Sequence, residues 1–247
     1  MKLPSITVPT FKAIVPSTQQ EVTLRTYLVK EEKMFLMAQE SKDANAAFDT
    51  LKQVLNNCSY GQLDVDKLAV FDVEYLFLQL RAESVGAECK VAFRCQNKIQ
   101  LAPDTEDVTC GTLVPFVVNL KEVKVVVPEG HSATVQIEDN LWMKMRYPAL
   151  GEAAHELATT GNVTESVMSV IASCVDMIYS KTESSERPEL TQEDIVKFLD
   201  ELRPAHFKAI QRFFLTMPRL QHTLQFKCTK CGYQQPIEMQ GMESFLA

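Results

Sequence analysis

The sequence predicts an α+β fold in which helices pack on short antiparallel strands, with a zinc-ribbon-like element built from the middle and C-terminal segments. Three observations carry this. The N-terminal third and residues 163–214 place apolar side chains at spacings of three and four, whereas the middle of the chain alternates with period two. The two patterns are segregated along the chain instead of alternating regularly, which disfavours a parallel βαβ sheet. Near the end stands Phe226-Lys-Cys228-Thr-Lys-Cys231-Gly232-Tyr233, the spelling of a zinc knuckle.

The elements follow in order. Ile6, Val8 and the Phe11–Val15 stretch precede Val22–Tyr27, and Pro16-Ser17-Thr18 between them predicts a hairpin turn. Leu28–Met37 is dense in helix formers, with Leu28, Met34 and Met37 expected on one stripe. A second helix is expected over 44–55 from Phe48, Leu51 and Leu55. A third runs through Val70–Leu80, with Asp64 or Asp66 as its expected cap and so many large side chains that most of its circumference must be buried.

Cys89–Cys95, Leu113–Asn119, Val123–Val127 and Thr134–Glu138 read as strands, and Asp139-Asn140 turns the chain into Leu141–Met145. Val167, Ile171, Cys174 and Ile178 predict one helix over 163–178, followed by an exposed loop from Lys181 to Pro188. Thr191-Gln-Glu-Asp194 resembles a capping box opening a helix with Ile195, Phe198, Leu199 and Leu202 inside. Pro204 starts another, with Phe207, Ile210, Phe213 and Phe214. Leu220–Phe226 alternates again and delivers the knuckle. The expected organisation is one domain, 1–247: a hairpin and helices to residue 86, a strand-rich part from 87–147 plus 219–240, and a helical segment 148–218.

Bulk properties narrow the function. A chain of 247 residues can bury a sizeable core. A net charge of −7 disfavours a general nucleic-acid binder, which needs a basic face to displace counterions. With 8 glycines there is little material for phosphate-cradling loops. No apolar stretch is long enough to span a bilayer, and the start lacks a secretory apolar region. Seven cysteines, an odd number, point to a reducing cytoplasm and away from a disulfide framework.

The chemistry on offer is therefore metal chemistry. Two thiolates of a Cys-x-x-Cys-Gly turn approach one cation from the same side, because the glycine lets the backbone fold tightly behind them. That supplies half of a tetrahedron. Cys95 ends a strand and Cys110 is followed directly by Gly111 and another strand, so a knuckle with a long insertion would provide the other half. The expected structural zinc ligands are Cys95, Cys110, Cys228 and Cys231. Cys58, Cys89 and Cys174 read as small core residues. None of His131, His155, His206 and His222 belongs to a ligand pair or nucleophile motif. Asp64, Asp66, Asp72 and Glu74 are explained by a cap and a solvated helix face, and Lys30–Lys33 by a solvated surface that can also dock a partner. Asn162-Val-Thr164 spells a glycosylation acceptor, meaningless without secretion. No catalytic constellation emerges.

Several segments together resemble a phage family, the baseplate hub and hub-assembly proteins of T4-like contractile-tailed bacteriophages. The resemblance rests on Val8-Pro-Thr-Phe11 with Val15-Pro-Ser-Thr18, Arg25-Thr-Tyr-Leu-Val-Lys-Glu-Glu-Lys33 with Leu36-Met-Ala38, and Cys58-Ser-Tyr-Gly61. It continues through Asp64-Val-Asp-Lys-Leu68, Phe71-Asp-Val-Glu-Tyr75 and Leu80-Arg-Ala-Glu-Ser-Val-Gly86. Phe93-Arg-Cys95, Met145-Arg-Tyr-Pro148, the terminal knuckle and Gly241-Met-Glu-Ser-Phe245 complete it. It implies a late protein of tail assembly, either a hub component or an assembly factor, binding other hub and tail proteins in the host cytoplasm or in the virion. The stretch between Cys95 and Cys110 departs from the tidier pattern.

An acidic protein without an active site suits such a role. Polar groups alternate with apolar anchors in two segments expected to meet a partner: Tyr27, Leu28, Lys30, Glu31 and Lys33 in the first, Met242 and Phe245 in the Gly241–Ala247 tail. Two other readings compete, a zinc-ribbon adaptor in a nucleic-acid complex and a thiol oxidoreductase using Cys228 and Cys231.

Overall fold

The computed structural model describes residues 6–41, 44–100, 107–151, 163–181, 183–186 and 189–245. His155, the Asn162-Val-Thr164 triplet and the last two tail residues fall wholly or partly outside them.

The N-terminal hairpin forms as expected. Strands β1 (Thr10–Ile14) and β2 (Glu21–Arg25) pair antiparallel, and the backbone closes with the Val15 amide donating to Gln20 O at 2.9 Å. Period two puts Ala13, Val22 and Leu24 inside. They pack with helices α1 (Val29–Ser41), α2 (Ala44–Cys58) and α3 (Val70–Ser84) around Leu51, Val54, Leu55, Val73, Leu76 and Leu80.

Three expectations here are corrected. The inner face of α1 carries Glu31 and Ala38, while Leu28 and Met37 of the expected stripe are exposed. Burial of Glu31 is possible because Arg25 from β2 meets its carboxylate at 2.8 Å and the Leu28 amide donates to it at 2.9 Å. Neither Asp64 nor Asp66 caps α3: they sit on a separate 3-10 turn, Val65–Lys67, ion-paired to Lys67 and Lys52, and Ala69 precedes the helix. Asp72 faces inward instead of towards solvent, because both the amide (2.8 Å) and hydroxyl (2.5 Å) of Ser17 donate to it. That link pins the hairpin turn to α3.

α3 is buried on both sides, as its composition predicts. Its second face, with Phe71, Leu78 and Ala82, packs on β3 (Glu88–Arg94), β6 (Leu113–Asn119), β7 (Lys124–Val126) and β12 (Arg219–Lys227). β3 and β6 make a ribbon whose inner face is Cys89, Val91, Val114 and Val118, and β13 (Gln234–Gln240), β12 and β7 make a three-stranded sheet. The chain end docks here. Phe245 is fully buried, its carbonyl accepts from the Cys89 thiol at 3.0 Å, and half-buried Met242 bridges this cluster and the N-terminal one.

A third cluster lies under a four-stranded antiparallel sheet ordered β11-β10-β9-β8, from Thr134–Glu138 (β8), Leu141–Met145 (β9), Val175–Ser180 (β10) and Ser184–Glu186 (β11). The single helix expected over 163–178 is really helix α4 (Val163–Ser173) followed by β10. Val175, Ile178 and Tyr179 are strand formers, although Ile178 also fits the helix stripe, and the open edge of β9 decides between the two. Trp142 and Tyr179 then face each other across the strands with stacked rings at 5.7 Å. Part of the expected exposed loop is β11, pairing back on β10. α5 (Gln192–Asp200) opens with the expected capping box of Thr191 and Asp194, and α6 (Pro204–Leu215) with Pro204. Ile195, Leu199, Ile210 and Phe213 close the cluster, and Tyr147 joins it to the α3 cluster.

Candidate metal centre

The β12–β13 hairpin ends in a tight turn. The Cys228 amide donates to Tyr233 O at 2.8 Å and the Gly232 amide to Cys228 O at 3.0 Å, which requires Gly232 at φ +73°. The β3–β6 ribbon closes with the same bonds. The Cys95 amide donates to Thr112 O at 2.9 Å and the Gly111 amide to Cys95 O at 3.0 Å, with Gly111 at φ +65°. Cys95 thus stands where Cys228 stands in the other turn, Cys110 where Cys231 stands, and Gly111 where Gly232 stands.

Between Asn97 and Cys110 the chain makes an excursion that includes the short strands β4 (Lys98–Ile99) and β5 (Val108–Thr109), which pair antiparallel. The Cys110 amide returns to Asn97 O at 2.8 Å. Hairpin pairing brings the ends of the insertion back to knuckle spacing, so fourteen intervening residues do not separate the thiols in space.

The two turns face each other. Sγ of Cys95 lies 3.6 Å from that of Cys231, Sγ of Cys110 lies 3.8 Å from that of Cys228, and all four sulfurs are within 4.8 Å of one another. Four sulfurs around zinc at about 2.3 Å stand about 3.8 Å apart along each tetrahedral edge. The spacing and the soft, all-thiol donor set therefore fit a structural zinc ion. Among the described residues this is the grouping of histidine, cysteine and carboxylate side chains close enough to share an ion, and no histidine joins it. Val114 and Phe226 seal it on the inside, with Phe93, Phe116 and Ile237 around them.

The thiols are not equivalent. Backbone N–H bonds from Cys231, and to a smaller extent Lys230, draw the Cys228 thiol down to about 6 against the opposing pull of burial. Thr112, through its hydroxyl and then its amide, lowers Cys110. Burial pushes Cys95 up to about 12. Two thiolates are thus favoured by the protein's own dipoles, whereas buried Cys95 needs a neighbouring cation to ionise. Thr112 and Asn97, whose Nδ2 lies 3.7 Å from Cys231 Sγ, are supporting residues that sequence reading passed over. The Cys-Gly-Thr triplet matching Cys-Gly-Tyr was the signal that could have found Thr112.

The residues expected to meet a partner are placed differently from one another. Leu28, Lys30 and Lys33 are exposed, whereas Tyr27 is half-buried against Phe35 at 6.0 Å between ring centroids. Glu31 and Phe245 are fully buried and Met242 is half-buried, so these belong to the chain's own core. Half-buried His131 bonds Thr216 and Tyr147, each at 3.0 Å, and its ring lies against Phe213. No described helix is long and apolar enough to cross a membrane.

Among the described residues, six α-helices on small antiparallel sheets, with two matched turns presenting four clustered thiols, define a mixed α/β protein with a candidate structural metal site. The chain belongs to the family described as T4 bacteriophage base plate protein, whose model matches residues 8–247. It is also 20% identical over 225 residues to the "Baseplate hub assembly protein gp26" of Enterobacteria phage T4, covering 91% of each chain. No solved structure matches it. Membership of a structural baseplate family suggests a non-enzymatic role.

Proposed function

We propose that this protein helps to build the central hub of a phage tail baseplate, as a hub component or as an assembly factor, by binding other hub and tail proteins and without covalent chemistry. The observation that carries this is the family match across almost the whole chain, supported by a relative of the same length named for hub assembly. A zinc ion held by Cys95, Cys110, Cys228 and Cys231 fixes the shape that docks, in a ribbon-like element. It ties residues more than a hundred positions apart in sequence, and the chain folds as one unit around it. Its chemical contribution would be to hold four thiolates in a tetrahedron. The protein acts in the host cytoplasm during assembly, and its acidic charge makes nucleic acid an unfavourable partner.

The test is affinity purification of the tagged protein from phage-infected cells, with the bound proteins identified and mature particles probed for the chain. Recovery of hub proteins, lost when the chain is unfolded by mutation, is expected. An uninterrupted tail assembly in a phage lacking this gene would refute the role.

A further inference from the structure

Helix α1 is apolar on two opposite sides. Its inner side is accounted for by Met34 and Phe35, packed on the core of the hairpin, α2 and α3, and by buried Ala38. On the outer side Leu36 is 54% exposed, Met37 70% and Val29 66%, and Lys33 and Glu40 are exposed with them. Residues 33, 36, 37 and 40 are spaced by three and four, so they form one diamond on the helix surface, the shape through which two helices cross. Lys33 occupies one tip and Glu40 the other; Leu36 and Met37 are the side corners. Neither Lys33 nor Glu40 is in an ion pair within the chain among the described residues.

This diamond is complementary to itself. A two-fold axis through its centre, across the helix, brings a second α1 in antiparallel. Lys33 then lies opposite Glu40 of the second copy, twice, and the Leu36 and Met37 pairs meet between the two ion pairs. A parallel pairing would set lysine on lysine and glutamate on glutamate. We propose that this face is a homodimer interface, with a second copy of the chain as its occupant, formed by antiparallel α1 helices. The inference goes beyond the hub-assembly role and does not depend on it. One helix face buries less than the roughly 800 Å² per partner of a standard interface, so the dimer is a concentration-dependent one.

Sedimentation velocity from low micromolar to several hundred micromolar protein tests this. Wild type is expected to pass from monomer to dimer, and Leu36→Asp to remain monomeric with an unchanged melting temperature, the position being exposed. Lys33→Glu and Glu40→Lys each place like charges opposite one another twice and should weaken self-association by roughly tenfold or more. Mixed together, those two single variants restore both ion pairs across the axis, so an equimolar mixture should dimerise where neither does alone. Wild type that stays monomeric throughout, as it would if the face takes a different tail protein, overturns the proposal. So does a dimer indifferent to Leu36→Asp, or a mixture of the two charge variants that associates no better than either alone.

Discussion

Replacing Cys228 with serine removes one corner of the four-thiol cluster and exchanges a soft ligand for a poor one. The size of the effect follows from what the cluster joins. The shortest chain segment that a metal would close between the two turns runs from Cys110 to Cys228, a separation of 118 residues. By the loop-entropy relation used for cross-links, closing such a loop is worth about 5 kcal/mol. Part of that is retained without metal, since β12 still pairs with β7 and Phe245 still seats beside Cys89. A loss of about 3–5 kcal/mol is therefore expected. For a chain of this size that corresponds to a melting temperature lower by roughly 10 °C.

The assay is calorimetry of wild type and Cys228→Ser, each with and without a strong chelator, alongside elemental analysis of zinc. Wild type should hold about one zinc per chain. The variant should hold little, and chelation should bring the two melting temperatures together, which separates loss of metal from loss of packing. Wild type free of zinc after purification in its presence, or one whose melting is indifferent to chelation, would refute the reasoning.

Two further outcomes are expected elsewhere. Glu31→Ala strands the buried Arg25 guanidinium and should cost about 3–5 kcal/mol, measured by urea denaturation. Burial opposes the Glu31 charge, but the Arg25 hydrogen bond and the Leu28 amide prevail and hold its carboxyl below the ordinary range. Its contribution is therefore complete above the unfolded value near 4.5 and disappears as pH falls through the folded value; the variant should lack that part of the acid transition. Asp72 behaves oppositely. Burial outweighs the Ser17 bonds and raises its carboxyl, so this group favours folding most below its unfolded value near 3.8 and loses that contribution as pH rises through the folded value. Asp72→Asn keeps an acceptor for Ser17 and should be nearly neutral at pH 7, whereas Asp72→Leu strands the Ser17 amide and should cost about 1–3 kcal/mol in the same measurement.

Local pattern in the amino-acid sequence was enough to place most elements. Alternation marked β3, β6, β8 and β12, and the Thr191–Asp194 box marked the start of α5, because strand faces and helix caps are decided by neighbours a few residues apart. The Cys-x-x-Cys-Gly turn, Cys110-Gly111 and the strand end at Cys95 likewise named the four clustered thiols, and Gly111 and Gly232 record a left-handed residue behind a cysteine. What lay between Cys95 and Cys110 was not legible, because two-residue strands carry no period.

Tertiary structure alone decided the remainder. Val175–Ser180 suits helix or strand by itself, and the free edge of β9 selects strand. Glu31 and Asp72 look like solvated charges until Arg25 and Ser17 arrive from the N-terminal hairpin to compensate their burial. Phe245 looks like a free anchor until the ribbon behind α3 closes over it. In each case the deciding partner is distant along the chain, and the energy of a buried charge or an unpaired strand edge depends on that partner, which no local spacing encodes.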